Sequence, residues 1–476
     1  MRFLSRRTRV ALLLSSFALS GTAPSASAQS LVPPERREAR AILQQLVSIN
    51  STTGSLGVQK AARAMAARFI AAGYAAADVQ LVGPTPPMTA LIVRLRGRQS
   101  GKKPILLLAH LDVVAAKRAD WPFDPFSFVE KDGFYYGRGA EDDKAGVATI
   151  VANMVRWKRE TFIPDRDLVA VLTADEETDG NSMRWLLKNH RELLDAEYAL
   201  NADAGGGSMD KGTLLFNSIQ ASEKVYADFR VEVTNPGGHS SVPRTDNAIY
   251  ELSATLAAFG KHEFPVRLNE VSRAFFQQSA AMQKPDVASL MRAVAAQPTD
   301  LSAAAKLASI NAYWNSVMRT TCVATMLDGG HATNALPQRA GANINCRMLP
   351  DDPADSVLAV LRRVIGPTAK VTQTGQSVPS PASPLRPDVM RAVEAQTKAQ
   401  FPGAAVVPEM STGATDGLFT RNAGVPTYGV SAIFFEQSEP SRAHGREERV
   451  GVKAFHDAVA FWYSMVKSLT TPQVTP

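Results

Sequence analysis

The sequence predicts an α/β fold with a mostly parallel sheet, interrupted by an inserted α+β domain. Short apolar runs at 105–109 and 167–174 are separated by an amphipathic segment at 145–158, and this alternation is typical of parallel strands joined by helices. Further on, residues 224–234 alternate apolar and polar side chains, which indicates a strand with one face in water. The α/β pattern resumes after a proline-rich linker at 379–387.

The elements follow in order from the spacing of the apolar residues. Apolar side chains at helical spacing predict helices, and short apolar or alternating runs predict strands. Residues 50–54 break the first helix and supply a cap for the second. Helices are predicted over 35–47, 58–72, 145–158, 182–194, 245–259, 354–365, 389–401 and 453–469, and strands over 89–95, 105–109, 167–174, 198–202, 224–234, 319–327, 340–348 and 426–434.

These changes of pattern divide the chain into four ranges. Residues 1–28 form a leader, 29–221 the first part of the α/β domain, 222–380 the inserted domain and 381–476 the second part of the α/β domain. Within the inserted domain, residues 266–318 form a helical and irregular segment rich in Gln, Ala and Ser. A chain of 476 residues is long enough to give each domain its own core.

Composition and charge exclude some classes of partner. The chain is 45% hydrophobic and 20% charged, which is ordinary for a globular protein. Its net charge is +7, but the first 28 residues hold four arginines and no acid, so +3 remains without them. That balance is too weak to predict binding to nucleic acid or to an anionic membrane. Beyond the leader, the sequence contains no apolar run long enough to span a bilayer.

The leader has the three parts of a secretory signal. Four arginines precede the apolar segment 10–19, and the small residues 26–28 form a cleavage site before Gln29. A retained anchor is disfavoured because the apolar segment is short. Residues 5–9 also resemble a twin-arginine export signal, although Arg9 stands where an apolar residue is usual. The mature protein is therefore expected to be secreted or periplasmic.

Two cysteines, Cys322 and Cys346, lie in strand-like runs on either side of a loop rich in Gly and Pro. An antiparallel pairing centred on that loop would place them opposite each other. In an exported protein they could form a disulfide. Two buried free thiols are the alternative, and the sequence leaves both open.

Imidazole and carboxylate groups gather at the predicted strand ends. His110 and Asp112 close one apolar strand, residues 175–177 (Asp-Glu-Glu) close another, and residues 137–144 (Gly-Arg-Gly-Ala-Glu-Asp-Asp-Lys) follow the first. Side chains of these types, delivered by strand ends and the loops after them, are what a two-metal hydrolytic site requires. The sequence therefore predicts a metal-dependent hydrolase.

Five motifs in order resemble the M20 metallopeptidase family over roughly residues 35–470. The block 121–126 with 132–134 is similar to carboxypeptidase S and to secreted N-acyl-amino-acid hydrolases. The resemblance implies a di-zinc exopeptidase-type catalytic domain, with the inserted domain acting as lid and dimerisation domain. The motifs are His110-x-Asp112, 137–144, 175–177, 238–241 (Gly-His-Ser-Ser) and 443–445 (Ala-His-Gly).

The resemblance implies a set of metal ligands. It assigns Asp142, Glu177 and His444 to one ion, and Asp142, His110 and Asp203 to the other. The residues alone also admit Glu141 and Asp143 as ligands, and the resemblance points to Asp142 as the bridge, with a cis peptide between it and Asp143. Such a donor set suits two Zn²⁺ and admits Co²⁺ or Mn²⁺.

Catalytic and substrate-binding roles also come from the resemblance. It makes Glu176 the general base and Asp112 the carboxylate that orients His110. His239 would stabilise the oxyanion, reaching the other subunit's site in dimeric members. Substrate contacts are expected from Asn334, Arg347 and Gly413.

The expected activity is hydrolysis of the amide bond next to a free α-carboxylate, in a small peptide or an N-acyl amino acid. An aminopeptidase or dipeptidase of the same family is an alternative that would need a site for a free α-amine. A non-catalytic binding protein is another, and such proteins usually lose a ligand or the base, whereas every position is filled here. A homodimer is expected, with strand 224–234 as the pairing edge, although the 266–318 segment could fill that space in a monomer.

Overall fold

The computed structural model describes residues 33–98, 100–439 and 441–471. The predicted leader, residues 1–28, lies outside the described residues. Within them, no helix combines the length and the apolar character needed to cross a membrane.

The first part of the α/β domain alternates strands and helices, as the sequence predicts. Its elements are α1 (Pro34–Val47), α2 (Leu56–Ala71), β1 (Val79–Val82), β2 (Ala90–Leu95), β3 (Ile105–His110), β4 (Val129–Lys131), β5 (Phe134–Tyr136), α3 (Lys144–Arg159), β6 (Leu168–Thr173), α4 (Asn181–Asn189), β7 (Tyr198–Asn201), β8 (Gly206–Asp210) and β9 (Thr213–Glu223).

The inserted range begins with one strand of a sheet and returns to that sheet after a run of helices. Its elements are β10 (Val225–Thr234), β11 (Gly238–His239), α5 (Ala248–Phe259), α6 (Glu270–Ser279), α7 (Pro285–Ala295), α8 (Leu301–Ile310), α9 (Ala312–Met318), β12 (Thr321–Gly329), β13 (Ala335–Leu336), β14 (Arg339–Met348), α10 (Ala354–Ile365) and β15 (Lys370–Thr374).

The chain then re-enters the α/β domain and completes its sheet. The remaining elements are α11 (Pro387–Gln400), β16 (Ala405–Ser411), α12 (Gly417–Asn422), β17 (Thr427–Gly429), β18 (Phe434–Glu436), β19 (Arg449–Gly451) and α13 (Val452–Thr470).

The α/β fold class is confirmed, and the central sheet is mixed. Its strand order is β1-β2-β6-β3-β7-β17-β9-β8-β18, with β16 beside β9. Strands β6, β3, β7 and β17 run parallel at the centre. The β8–β9 pairing is antiparallel because Lys211 and Gly212, both with positive φ, form a two-residue turn too short for a parallel crossover.

Alternate residues of the central strands face two different helix layers. In β3, Ile105 and Leu107 pack with α1, α3 and α13. Leu106 and Leu108 pack instead with α4. A strand buried on both faces must be apolar throughout, which explains the continuous run that identified it in the sequence.

The four-stranded sheet of the inserted domain has the order β12-β14-β10-β15 and is antiparallel throughout. Helices α5 and α10 cover its apolar face, which includes Phe229 and Ile344. Strand β10 is paired on both sides. The prediction that residues 224–234 offer a free edge is therefore wrong, because local alternation reveals which face is buried but not which strands are neighbours. The edge is β12.

The helical segment 266–318 packs away from this four-stranded sheet. Its buried residues, including Phe276, Met291 and Leu307, join the main core of the α/β domain, where α6 lies along β16. Buried Lys224 anchors the far end of the segment, because its Nζ donates to the carbonyl oxygens of Ser316 at 2.7 Å and Arg319 at 2.8 Å. The helical segment 266–318 thus links the inserted domain to the central sheet.

The two cysteines form a disulfide. Cys322 lies directly opposite Cys346 in the antiparallel pairing of β12 with β14, as the sequence register predicts. Of the two alternatives that the sequence left open, the bonded one is present.

We expect removal of this disulfide to destabilise the inserted domain. The bond closes a loop of 24 residues, and the loss of loop-closure entropy in the unfolded chain corresponds to about 3 kcal/mol. Chemical denaturation should show this loss in the double variant Cys322→Ala, Cys346→Ala relative to the oxidised wild type. Equal unfolding free energies for the two proteins would contradict the prediction.

Candidate active site

His110 stands at the carboxyl end of β3 with its ring fixed by Asp112. Its Nδ1 lies 3.0 Å from the carbonyl oxygen of Asp112, and since that oxygen can only accept, Nδ1 carries the proton. The lone pair of Nε2 then faces Asp142 Oδ1 at 2.9 Å and Asp203 Oδ1 at 3.6 Å. A ring nitrogen facing two carboxylates requires a proton or a cation between them.

Asp112 also holds the loop that follows β6. Its Oδ1 accepts the backbone N–H of Glu176 at 3.2 Å, and its Oδ2 accepts that of Glu177 at 3.2 Å and the hydroxyl of Thr53 at 2.8 Å. The carboxylate therefore positions the Glu176–Glu177 pair. The backbone carbonyl of the same residue fixes the ring of His110, and the carboxylate Oδ1 lies 3.5 Å from its Nδ1. The contact with Glu176 and Glu177 goes beyond the orienting role that the resemblance implies, and an imidazole held in this way is kept in one tautomer.

Asp142 lies between two groups of potential ligands. Its Oδ1 faces His110, while its Oδ2 lies 3.2 Å from Nε2 of His444. His444 Nε2 in turn lies 2.7 Å from Oε2 of Glu177. The structure thus brings all five predicted ligands together, with Asp203 and His110 on one side of Asp142 and Glu177 and His444 on the other. The peptide between Asp142 and Asp143 is cis, as the resemblance implies.

Asp143 is a further acid at the same place. Its Oδ2 accepts the backbone N–H of His110 at 3.3 Å. Its carboxylate also lies close enough to His110 and Asp203 for the three to hold a cation, as do His110, Asp142 and Glu177. The residues alone admit Asp143 as a ligand, although the resemblance points to Asp142 as the bridge.

The electrostatics of the site indicate an excess of negative charge. Burial opposes a charged imidazole, yet Asp203, Asp112 and Asp142 raise the pKa of His110 well above its usual value. Burial and the nearby Asp203 raise the pKa of Glu176 well above that of a free glutamate. A raised pKa means that the buried acid favours its protonated form, because no positive charge nearby balances the charge of the carboxylate. The residues present therefore fit a metal centre, because two imidazoles and several carboxylates surround a place that favours positive charge.

Arg138 and Glu448 hold the two ligand loops together. Oε1 of Glu448 accepts the backbone N–H groups of Glu141 and Asp142, each at 3.0 Å, and Oε2 accepts that of Gly139 at 2.9 Å. Arg138 Nη1 donates to Glu448 at 2.6 Å, and Nη2 donates to the carbonyl oxygen of Gly445 at 3.0 Å. The sequence prediction missed both residues, although Arg138 lies inside the motif 137–144 and Glu448 follows His444 by only a few positions.

A cavity of about 380 Å³, here called the central cavity, is lined by four of the five predicted ligands and by the candidate base. Gly413 lines it with Glu176 and Asp203. A neighbouring cavity of about 480 Å³, here called the carboxylate cavity, is lined by Arg347, Lys224 and, again, Glu176. Arg347 lies over the ring of Tyr226, 4.8 Å from its centroid. The structure thus brings Gly413 and Arg347 to the site within one chain.

His239 and Asn334 are placed with each other but not with the metal ligands. His239 pairs with Ala335 in the short β11–β13 ladder, and the carbonyl oxygen of Asn334 accepts the backbone N–H of Ser240 at 3.0 Å. Both residues are exposed, and His239 Nδ1 lies 2.7 Å from the hydroxyl of Ser241. Neither lines the central or the carboxylate cavity of the described chain.

Known proteins resemble this chain over most of its length. A human N-fatty-acyl-amino acid synthase/hydrolase, PM20D1, is 26% identical over 390 residues, covering 80% of this chain and 76% of the relative. A probable carboxypeptidase S-like 2 of Dictyostelium discoideum is 25% identical over 397 residues, covering 80% and 74%. The fold matches the M20 family metallo-carboxypeptidase Sso-CP2 of Sulfolobus solfataricus with a TM-score of 0.66 and 17% identity, covering 91% of this chain and 99% of that one.

The length of chain that matches the family model establishes the family. Residues 106–468, well over half of the chain, match Peptidase family M20/M25/M40. This range begins within β3 and includes His110, Glu176 and His444. The chain is an enzyme of the metallopeptidase and amidohydrolase type, and it belongs to peptidase family M20.

Proposed function

We propose that the enzyme hydrolyses the amide bond next to a free α-carboxylate in a small peptide or an N-acyl amino acid. The observation that supports this is the position of Glu176, which lines both the central cavity and the carboxylate cavity that contains Arg347. A guanidinium binds a carboxylate through two parallel hydrogen bonds. A substrate held in this way by Arg347 would present its adjoining amide to Glu176.

We propose two zinc ions as cofactors. Asp142 would be shared, with His110 and Asp203 holding one ion and Glu177 and His444 the other. Imidazole and carboxylate without thiolate suit Zn²⁺ and admit Co²⁺ or Mn²⁺. When bound, such ions polarise the scissile carbonyl and lower the pKa of water.

The chain's own residues supply the proton transfers. Glu176 would take a proton from the attacking water as the new C–O bond forms, and return it to the amine as the C–N bond breaks. A carboxylate can both accept and release a proton in this way. Asp112 assists by fixing the backbone of Glu176 and the ring of His110. The products are a carboxylate and a free amino acid.

The oxyanion contact is proposed to come from a second copy of the chain. Strand β12 is an edge strand of nine residues, and its exposed side chains include Val323, Met326 and Leu327. An exposed apolar edge favours pairing with another strand. A homodimer formed through this edge would carry His239 and Asn334 of one chain towards the site of the other, because neither reaches the site of its own chain.

Export is proposed from the leader and from the disulfide. The leader has the form of a secretory signal, and disulfides persist mainly in oxidising compartments. A secreted or periplasmic location agrees with both observations.

The carboxylate site is tested with Arg347→Ala. Loss of charge-assisted hydrogen bonds should lower kcat/KM for an N-acetyl amino acid about 10- to 100-fold, while the already poor turnover of its amide changes little. Arg230→Ala is the matched control, because Arg230 lies on the same sheet but pairs with Asp328. If Arg347→Ala lowers kcat/KM equally for the free and the amidated substrate, Arg347 does not bind the carboxylate.

The role of His239 is tested by mixing two inactive proteins. His239→Ala and Glu176→Gln would each abolish activity, but a mixed dimer contains one site with both residues intact. Activity should therefore return when the two proteins are mixed under conditions that allow subunit exchange. A stable dimer that exchanges subunits without recovering activity would show that His239 does not act across the interface.

A further inference from the structure

Arg347 is supported in the carboxylate cavity by an aromatic ring and not by a hydrogen bond. Its guanidinium lies over the ring of Tyr226, 4.8 Å from the centroid, and the two residues stand directly opposite each other in the antiparallel pairing of β10 with β14. Within the described chain, no carboxylate, carbonyl or hydroxyl group accepts a hydrogen bond from the guanidinium. Its donors are therefore available to a substrate carboxylate.

A second carboxylate stands close to this guanidinium without pairing with it. Asp228 lies two residues after Tyr226, on the same face of β10 and opposite Asn345 of β14. Although burial opposes its charge, hydrogen bonds and the nearby guanidinium of Arg347 lower the pKa of Asp228. The carboxylate is thus ionised at neutral pH, yet no ion pair joins it to Arg347 in the part of the chain that the structure describes.

Three donors occupy the two oxygens of Asp228. Its Oδ1 accepts the side-chain amides of Asn343 at 2.9 Å and of Asn345 at 3.0 Å. Its Oδ2 accepts the hydroxyl of Tyr226 at 2.5 Å. This bond to Asp228 raises the pKa of Tyr226, so the phenol remains a donor at neutral pH. Tyr226 therefore lies under the guanidinium and also binds the acid nearest to it on the same strand.

We propose that Tyr226 is a positioning residue that keeps Arg347 free for the substrate, because its ring supports the guanidinium while its hydroxyl holds Asp228 away. The inference rests on the proposed function, since it takes Arg347 as the group that binds the substrate carboxylate. Asp228 and Arg347 are diagonal neighbours on adjacent strands, a spacing that long side chains can bridge. A direct pair between them would occupy the donors that the substrate needs, and binding would first have to break it.

Tyr226 and Asp228 are not needed for the core of the inserted domain. Tyr226 is 46% exposed and Asp228 is half-buried. Their neighbours Val225 and Ala227 lie on the opposite face of β10 and belong to that core. Substitutions at 226 and 228 are therefore expected to leave folding intact, so that a change in KM reports on the site.

The first test measures kcat and KM for an N-acetyl amino acid in Tyr226→Phe, which keeps the ring and removes the hydroxyl. Asp228 should then pair with Arg347, and KM should rise about 5- to 10-fold while kcat stays within about twofold. Adding Asp228→Asn to Tyr226→Phe should return KM to within about twofold of wild type, because the competing charge is gone. Tyr250→Phe is the control, since that tyrosine is 71% exposed on α5 of the same domain.

A crystal structure of Tyr226→Phe gives an independent check. The carboxylate of Asp228 should lie within about 4 Å of the guanidinium of Arg347, the distance of an ion pair. The inference would be overturned by a wild-type KM in Tyr226→Phe, by a raised KM that Asp228→Asn does not restore, or by a structure in which the two groups remain apart.

The Arg347→Ala variant described above separates this inference from the proposed function. If that variant loses activity selectively on the free carboxylate while Tyr226→Phe keeps a wild-type KM, only the role of Tyr226 is contradicted. If Arg347→Ala lowers kcat/KM equally for the free and the amidated substrate, the proposed function fails and the inference fails with it.

Discussion

The buried ion pair between Arg138 and Glu448 is the interaction on which the site most depends. The two side chains are 4% and 0% exposed and lie 310 positions apart in sequence. Through them, the backbone that carries Asp142 is bonded to the backbone that carries His444. Removing one partner would leave a buried charge without compensation, at a cost of about 3–5 kcal/mol. The same change would release both ligand loops, so the metal centre and the local fold are stabilised by one pair.

The sheet supplies the rest of the arrangement. Strands β3, β6 and β7 run parallel side by side, and their carboxyl ends deliver His110, the Glu176–Glu177 pair and Asp203 to one edge. This part was predictable from the sequence, because each strand is a continuous apolar run that ends in acids or histidine. His444 was predicted only from the resemblance. No local pattern links it to β3, β6 and β7, because those strands lie more than 200 residues earlier in the chain.

What the sequence did not predict depends on contacts between distant segments. The alternation in β10 revealed its buried face but not that β14 and β15 lie on either side of it. The composition of residues 266–318 did not show that they pack along β16. Glu448 resembles any solvated acid in the sequence, and only the fold reveals that three backbone N–H groups converge on it.

The most direct test of this account is the metal content of two variants. Glu176→Gln should retain about two equivalents of zinc per chain while hydrolysis falls roughly 10²- to 10⁴-fold, because only the proton transfer is lost. Asp142→Asn should lose at least one equivalent, because its two oxygens face both groups of ligands. If Glu176→Gln loses an ion, or if Asp142→Asn retains both, the assignment of base and bridging ligand is contradicted.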